Sequence, residues 1–450
     1  MISPSTRLLI WTGMFLVPAT AMSVLPGLYG NVGWIGIGFF AFLTILDAAM
    51  GTRSLDGISV AAEEVVRVSK DRMGELELTI HNESKRRRRL RFGLPWPREL
   101  ETDEEVMLAE LPRNAELAKV RWSFTPRRRG NYRFDCCHLE SASPLGFWNI
   151  RRANAITSEI RVYPNLLSER KNVAAIFLNR GGLGIHAQRQ VGKGRDFEKL
   201  REYIPGDGYD EIHWKATAKR GKPVTKVFQI ERTQEVYVIV DSSRLSARGA
   251  DVPDPENTKE KRVSTLERFI TAGLVLGLAS ERQGDLFGLM TFSNQTDRFI
   301  RAKNGAAHYA HCRDALYTLE PSLVSPDFEE MAAFLRTRLR RRALLVFLTS
   351  LDDPVIAEQF SHSMELLSRQ HLILVNMLPP PNVKPLFREE NVRTSDQIYE
   401  QLGGHLRWQA LRELELQLGQ HGVNFKLLEN ELMSAQLVTQ YLNVKRRQVL

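Results

Sequence analysis

The stretch that decides the fold is Val236-Tyr237-Val238-Ile239-Val240-Asp241, an apolar run that ends in a carboxylate. An unbroken run of this kind is typical of a strand buried on both faces of a sheet. Similar runs follow at 286–292, 344–348 and 372–375, and stretches with helical periodicity, such as 263–281 and 328–341, lie among these runs. This alternation predicts an α/β domain with a Rossmann-like parallel sheet over residues 233–450. Such sheets bind ligands at the carboxyl ends of their strands, where Asp241 lies.

The N-terminus contains two further apolar runs, at 8–25 and 32–50, in which Asp47 is the only charged residue. Each is about 18–20 residues long, which is the length that a helix needs to cross a bilayer. We therefore predict a two-helix transmembrane hairpin over residues 1–52. Arg7 and Arg53 flank the runs, so both termini are expected on the cytoplasmic side. A cleaved signal peptide is the alternative, but the pattern lacks a small-x-small site before a polar segment.

The middle of the chain has the pattern of a β-sheet protein. Leu76, Leu78 and Ile80 alternate with polar residues, which predicts a strand with one solvated face. Several such stretches separated by short turns favour a small β-sandwich over residues 53–165. The next segment, 166–232, is rich in Gly, Lys and Arg and links the two domains.

Charge, cysteine count and missing motifs argue against several classes of function. The net charge of +9 is concentrated in part in the runs 85–91 and 127–129, which suit an anionic membrane surface better than a nucleic acid. The three cysteines form no disulfide framework. Gly192-Lys193-Gly194 lacks the hydroxyl residue of a phosphate-binding loop, and the chain has no zinc-protease or serine-hydrolase motif.

Asp241-Ser242-Ser243 is the strongest candidate for a binding site. A carboxylate and a hydroxyl two residues apart at a strand end can both bind a hard cation such as Mg²⁺, which needs few protein oxygens. The same residues are also typical of a turn that ends the strand. The spacing of these three residues, taken alone, favours the turn over the cation site.

A second pattern lies between residues 194 and 220. It contains Gly-x-Asp-Phe, Leu-Arg-x-Tyr, Pro-Gly-Asp and Ile-x-Trp-Lys, at residues 194–197, 200–203, 205–207 and 212–215. This pattern resembles the bacterial domain-of-unknown-function 58 family. Two other segments also resemble that family: 126–132, with Arg-Gly-x-Tyr, and 143–147, where Ser143 replaces the family's acidic residue.

The resemblance implies a von Willebrand factor A-like domain from about residue 233 and a link to MoxR-type AAA+ ATPases. In a bacterium, the predicted hairpin would place the chain in the inner membrane. The resemblance also implies a metal-ion-dependent adhesion site. Asp241 and Ser243 match its first loop, but Leu245 stands where a second Ser belongs. Ser325 or Asp327 would serve the second loop. In the third loop Ser350 replaces the acidic residue and Asp352 follows two positions later, so the site is degenerate.

The Trp-Lys part of the family pattern allows two interpretations. Charges of both signs surround it, including those of Asp207, Lys215 and Arg220. The segment either holds the domain together by burying Trp214, or it presents a docking face, because Trp and Arg are frequent interface anchors.

These observations predict a membrane-anchored, non-enzymatic protein-interaction scaffold that works with a MoxR-type ATPase, with no small-molecule substrate evident. Two alternatives stay open. One is a metal-assisted hydrolase that uses Asp241, Asp352 or Asp353, and the other is a membrane-tethered nucleic-acid binder that uses the run 85–91.

Overall fold

The structure is a computed structural model that describes the chain apart from residues 25–27, 85–86, 114, 168, 170–190, 206–207, 210–211, 230–233, 255–256, 387–393 and 448–450. The side chains of 28–30, 191–199, 227–229, 250–254, 257–262 and 396 also lie outside the described part. The chain divides into two compact units, Met1–Asn165 and Leu166–Leu450.

The first unit contains two long helices and a series of strands. The elements are β1 (Ile2–Pro4), α1 (Thr6–Ser23), α2 (Leu28–Gly51), β2 (Ile58–Ala62), β3 (Val65–Ser69), β4 (Gly74–Asn82), β5 (Arg88–Gly93), β6 (Leu100–Glu101), β7 (Val106–Leu111), β8 (Leu117–Pro126), β9 (Gly130–Ala142) and β10 (Trp148–Tyr163).

Two sheets in this unit share one apolar core. One has the order β1-β10-β9-β5-β7, with β3 also paired to β10, and the other has the order β2-β4-β8-β6. The alternation expected for β4 is present, since Leu76, Leu78 and Ile80 are buried and the residues between them are partly or fully exposed. Their side chains pack in the same core as Phe92 and Phe134 of the other sheet.

The carboxylate of Asp47, near the end of α2, fixes this helix to the β-rich body. The side chain is 1% exposed. It accepts hydrogen bonds from Ser143 Oγ at 2.5 Å, from the Leu145 backbone N–H at 2.8 Å and from the Phe147 backbone N–H at 3.1 Å. A buried carboxylate is stable when several donors satisfy it. The 143–148 loop therefore acts as a socket for the end of the helix.

The same loop also holds the start of α1. Ser5, the N-cap of α1, donates from its Oγ to the Gly146 carbonyl at 2.5 Å and from its backbone N–H to the Phe147 carbonyl. The Trp148 indole N–H donates to the Thr44 carbonyl of α2 at 2.9 Å. Gly146 has a φ of +76°, a conformation that glycine adopts without strain. Both helices thus begin or end on one loop.

Close packing also joins α1 to α2. A Cβ at Gly33 would lie 2.6 Å from the Ser23 backbone nitrogen and 2.7 Å from the Ala19 carbonyl oxygen. Only glycine permits so close an approach of the two backbones.

One stretch among the described residues, Asn31–Gly51 of α2, is long and apolar enough to cross a membrane. Its apolar side chains are largely exposed, including Trp34, Ile35, Phe39, Phe42 and Ile45. The sequence predicts two such spans. α1 has 18 residues but falls outside the finding, because Arg7 and several hydroxyl residues make it less apolar than α2.

The second unit alternates strands and helices. Its helices are α3 (Trp214–Arg220), α4 (Thr265–Arg282), α5 (Ala306–Leu316), α6 (Phe328–Arg338), α7 (Pro354–Ser368), α8 (Ser395–Gln420) and α9 (Met433–Arg447). Its strands are β11 (Val191–Glu202), β12 (Val224–Gln229), β13 (Glu235–Asp241), β14 (Gly249–Asp254), β15 (Asn257–Ser264), β16 (Leu286–Phe292), β17 (Thr296–Lys303), β18 (Leu344–Leu348), β19 (Leu372–Met377) and β20 (Asn424–Leu427).

A six-stranded sheet organises this unit, in the order β17-β16-β13-β18-β19-β20. Neighbouring strands pair in parallel except for β16 and β17, which are antiparallel. Val236, Val238 and Val240 of β13 enter a core with α4, α5 and α9. Tyr237 and Ile239 enter a second core with α6, α7 and α8. β13 is therefore buried on both faces, and the mixed α/β class predicted from its sequence is confirmed.

Several elements of this unit were not assigned from the sequence, and α7 and β17 are two of them. α7 begins at an Asp-Pro pair, and the side chain of Asp353 caps it by accepting from the Val355 backbone N–H at 3.0 Å. This is a known helix-start signal. β17 pairs antiparallel at the edge of the sheet, and its partly exposed residues lack the apolar run that marks the buried strands.

The Asp47 socket leads to the first prediction. Asp47→Ala leaves the Ser143 hydroxyl and two backbone N–H groups without their acceptor. We expect it to destabilise the first unit by about 1–3 kcal/mol, measured by thermal unfolding in detergent. Asp56→Ala, at an exposed position nearby, is the matched control and should change stability by less than about 0.5 kcal/mol.

The residue at position 143 offers a sharper test. Ser143→Asp places a second carboxylate against Asp47 and should destabilise the unit, because like charges in a buried site repel. The double variant Asp47→Ser with Ser143→Asp restores one carboxylate beside the same amides and should recover much of the loss. Equal destabilisation by the single and double variants would contradict this account of the socket.

Candidate functional site

Asp241 lies at the carboxyl end of β13, and its side chain is fully buried. Oδ1 accepts from the Ser243 backbone N–H at 2.8 Å, and Oδ2 accepts from Thr349 Oγ1 at 2.7 Å. Ser243 Oγ accepts from the Leu245 backbone N–H at 3.4 Å and caps a short 3₁₀-helix, Arg244–Ala247. The structure therefore brings Asp241 and Ser243 together, and both side chains serve the turn that follows the strand.

Burial raises the pKa of the Asp241 carboxyl, and the hydrogen bonds from Thr349 and Ser243 oppose this effect. A buried carboxylate favours its neutral form when no opposite charge compensates it. A divalent cation at the same place would reverse this preference.

Two residues were predicted for the second loop, and the structure gives them different roles. Ser325 Oγ accepts from Arg244 Nε at 3.0 Å, which connects its loop to the Asp241 loop. Asp327 is instead the N-cap of α6, where it accepts from the Glu329 and Glu330 backbone N–H groups at 3.1 and 2.9 Å. Ser325 thus lies beside the first loop, and Asp327 stabilises a helix.

The third loop is joined to the first by an ion pair. Asp352 Oδ2 accepts from Arg248 Nη1. Asp352 Oδ1 is buried and has no hydrogen-bond partner among the described atoms. Ser350, which stands where an adhesion-type metal site has an acidic residue, is also buried. The neighbouring Asp353 caps α7 and is committed to that helix.

Sequence analysis missed three participants of this site: Thr349, Arg248 and Asp297. Asp297 Oδ2 accepts from Ser242 Oγ at 2.9 Å. Thr349 directly follows the apolar run of β18, which was a usable signal. Thr349 can be assigned to the site only when β18 is known to lie next to β13, because the ends of neighbouring parallel strands meet at one edge of the sheet.

The arrangement provides one buried carboxylate surrounded by hydroxyl groups, with an Arg–Asp pair beside it. No group of three or more His, Cys, Asp or Glu residues in the described part of the chain is placed to hold a metal ion. Of the predicted ligand set, Asp241, Ser243, Ser325 and Asp352, each side chain has a hydrogen bond to the protein. The Mg²⁺ site stays a prediction.

The family pattern forms an antiparallel pair, β11 with β12, and α3 lies in the connection between them. Trp214 begins α3 and is 69% exposed. Lys215 and Arg220 on the same helix are also exposed. Asp207, the fourth residue predicted for this segment, lies outside the described residues. The exposure of Trp214 favours a docking face over a latch that buries the indole.

Within the basic run 85–91, Arg87, Arg89 and Arg91 are exposed at or beside β5 of the first unit. Arg87 and Arg89 pair with Glu110 at 3.3 and 2.5 Å, and Arg91 pairs with Glu140 at 3.4 Å. These cross-strand pairs neutralise part of the charge that a polyanion would bind. Lys85 and Arg86 lie outside the described residues.

Comparison with known proteins gives one family match. A family model described as protein of unknown function DUF58 matches residues 199–386. No curated protein matches the chain.

Several solved structures are similar at low scores. An aerotolerance-related membrane protein from Bacteroides fragilis has 16% identity and a TM-score of 0.28, with 46% of this chain and 99% of that chain covered. The conserved hypothetical protein BatB from Bacteroides thetaiotaomicron has 14% identity, a TM-score of 0.28 and coverage of 47% and 99%. Proximal thread matrix protein 1 from the mussel byssus, with a zinc-occupied MIDAS motif, has 15% identity, a TM-score of 0.22 and coverage of 33% and 36%. TM-scores this low support no conclusion about this chain. The fold described above is assigned from the strand pairing of the chain itself.

The raised pKa of Asp241 makes a prediction about pH. Because the folded state holds this proton more tightly than the unfolded state, the second unit should lose stability as the pH rises above 3.8, the ordinary value. Asp241→Asn removes this loss, so its stability relative to the wild type should increase with pH. Hydrogen exchange of residues 235–241 between pH 5 and 8 measures the difference. A stability difference between Asp241→Asn and the wild type that stays constant over this pH range would contradict the prediction.

Magnesium gives the second arm of this experiment. If the carboxylate binds Mg²⁺, the ion should raise the stability of the wild type and leave Asp241→Asn unchanged. Equal responses of the two proteins to Mg²⁺ would rule out a cation at Asp241.

Proposed function

We propose that this chain, of which residues 199–386 match the DUF58 family model, is a membrane-anchored, non-enzymatic scaffold for protein interactions. We further propose that it works with a MoxR-type AAA+ ATPase in the assembly or maturation of client proteins. The observation that carries the proposal is the attachment of an exposed apolar helix, Asn31–Gly51, to a folded body through the buried carboxylate of Asp47.

The membrane part of the proposal is a two-helix hairpin with both termini in the cytoplasm. The contact of Gly33 with the α1 backbone and the socket shared by Ser5 and Asp47 support a paired arrangement of α1 and α2. The flanking residues Arg7 and Arg53 support the orientation, because basic residues favour the cytoplasmic side. In a bacterial cell this places the soluble units at the inner face of the cytoplasmic membrane.

The interaction part of the proposal assigns a von Willebrand factor A-like domain to residues 233–450. The parallel pairing of β13 with β16 and β18 and the helix-covered faces of the sheet support this assignment. The carboxylates at the ends of the strands serve turns, helix caps and an ion pair. Carboxylates engaged in this way support a binding role for the loops rather than acid–base catalysis.

A metal-dependent form of the same scaffold is the second candidate. It is favoured by the buried Oδ1 of Asp352, which has no partner among the described atoms and which could accept a bond to a cation or to its water. In that form Mg²⁺ at the Asp241 loop would help to bind an acidic group of a partner.

The partner prediction is tested with the full-length chain, tagged after Leu450 and crosslinked in cells before solubilisation in mild detergent. We expect mass spectrometry to find a MoxR-type AAA+ ATPase enriched over a control that carries the same tag on an unrelated membrane hairpin. Recovery of the chain without any such ATPase would contradict the partnership. A reporter at the C-terminus that is active only outside the cytoplasmic membrane would contradict the orientation.

A further inference from the structure

We propose that the surface around α3 is a docking site for an acidic protein surface that receives the indole of Trp214. This surface, called the α3 face, consists of Tyr209, Trp214, Lys215, Lys219 and Arg220. The inference rests on the proposed scaffold function, for which it names the contact surface and the chemistry of the partner.

α3 is held in a defined position by hydrogen bonds although it is short. A helix of seven residues has little stability of its own. His213 Nδ1 caps its start by accepting from the Ala216 backbone N–H at 3.0 Å, and Thr217 Oγ1 accepts from the Val224 backbone N–H of β12 at 3.0 Å. Gly221 ends the helix with a φ of +66°. The helix therefore has a defined position on the sheet.

α3 presents its largest apolar side chain, the indole of Trp214, to solvent. Trp214 is 69% exposed and Tyr209 is 78% exposed. The buried anchor of the segment is instead Ile212, which forms a bridge to Thr225. A structural role for the indole would require its burial. An exposed Trp on a fixed backbone is what an interface anchor needs, because little conformational entropy is lost when it binds.

All the charged side chains of α3 are positive. Lys215, Lys219 and Arg220 are exposed, and α3 contains no acidic residue. Among the described residues none of these three cations forms an ion pair, and the nearest pair in sequence joins Lys222 to Glu202 at 3.7 Å. Exposed cations on the same short helix as an aromatic anchor are complementary to carboxylates beside an apolar pocket, and such complementarity accelerates association and selects the partner.

The charge balance of the segment favours a protein over a polyanion or a lipid surface. Residues 203–222 contain four Lys or Arg, but also Asp207, Asp210 and Glu211. Nucleic acids and anionic membranes bind most tightly to surfaces with a large net positive charge, and the net charge of this segment is small. A protein surface can match a pattern that contains both signs.

The test places the photo-crosslinking residue benzoylphenylalanine at position 214 of the full-length chain in cells, with the same residue at Tyr399, an exposed aromatic position of α8, as the control. We expect a protein adduct from position 214 that is absent from position 399. The triple variant Lys215→Glu, Lys219→Glu, Arg220→Glu should reduce the yield at least about tenfold, because it reverses the charges around the anchor. Changing the partner's acidic residues at the crosslinked site to lysine should restore it.

Two further variants keep the test independent of folding and of total charge. The triple Gln variant at 215, 219 and 220 removes the charges with residues that form helices well, and it should also lower the yield. Arg340→Glu, Arg341→Glu, Arg342→Glu makes the same total change at another exposed site and should leave the yield unchanged. An adduct that survives charge reversal, an adduct to lipid or nucleic acid alone, or no adduct above the control would overturn the α3 face as a docking site.

The identity of the adduct separates this inference from the proposed function. If position 214 captures an acidic protein in the charge-dependent way described but the protein is not an ATPase, the docking site stands and the proposed partner is wrong. If the ATPase is recovered with the chain but never from position 214, the partnership stands and the docking site is wrong.

Discussion

The attachment of the N-terminal helices depends on one buried carboxylate. Asp47 ends an otherwise uncharged apolar helix, and in a membrane or a core an unpaired charge at this place would be costly. The 143–148 loop removes this cost with a hydroxyl and two backbone amides. Because Ser5 and Trp148 bond through the same loop, the two helices and the β-rich body are held without a flexible linker. The first unit therefore has a defined orientation relative to its own N-terminal helices.

The second unit depends on β13 in a comparable way. Its side chains alternate between two cores, so helices must cover both faces of the sheet, and its last residue, Asp241, reaches the edge where the loops meet. At that edge the polar side chains bond mainly to one another. Thr349 occupies one oxygen of Asp241, and Arg248 pairs with Asp352. These bonds join the three loops to one another through the protein's own side chains.

Much of the fold was accessible from sequence because burial leaves a periodic pattern. The strands at 286–292 and 344–348 were predicted with the bounds that the structure has, since both are continuous apolar runs. The edge strand β17 was missed because a strand with one solvated side has no such run. The helix α7 was missed although Asp353 and Pro354 mark its start, a signal that depends on two residues rather than on a period.

The sequence by itself determined which segments are apolar enough to be buried or to cross a membrane, and which residues carry the family pattern. These are properties of local composition and spacing, so they can be read before folding. Only the tertiary structure decided what the polar residues do. Asp47 accepts hydrogen bonds from the 143–148 loop, Asp327 caps a helix, and Trp214 is exposed to solvent. The partner of a hydrogen bond and the exposure of a side chain depend on residues distant in sequence, which no local pattern specifies.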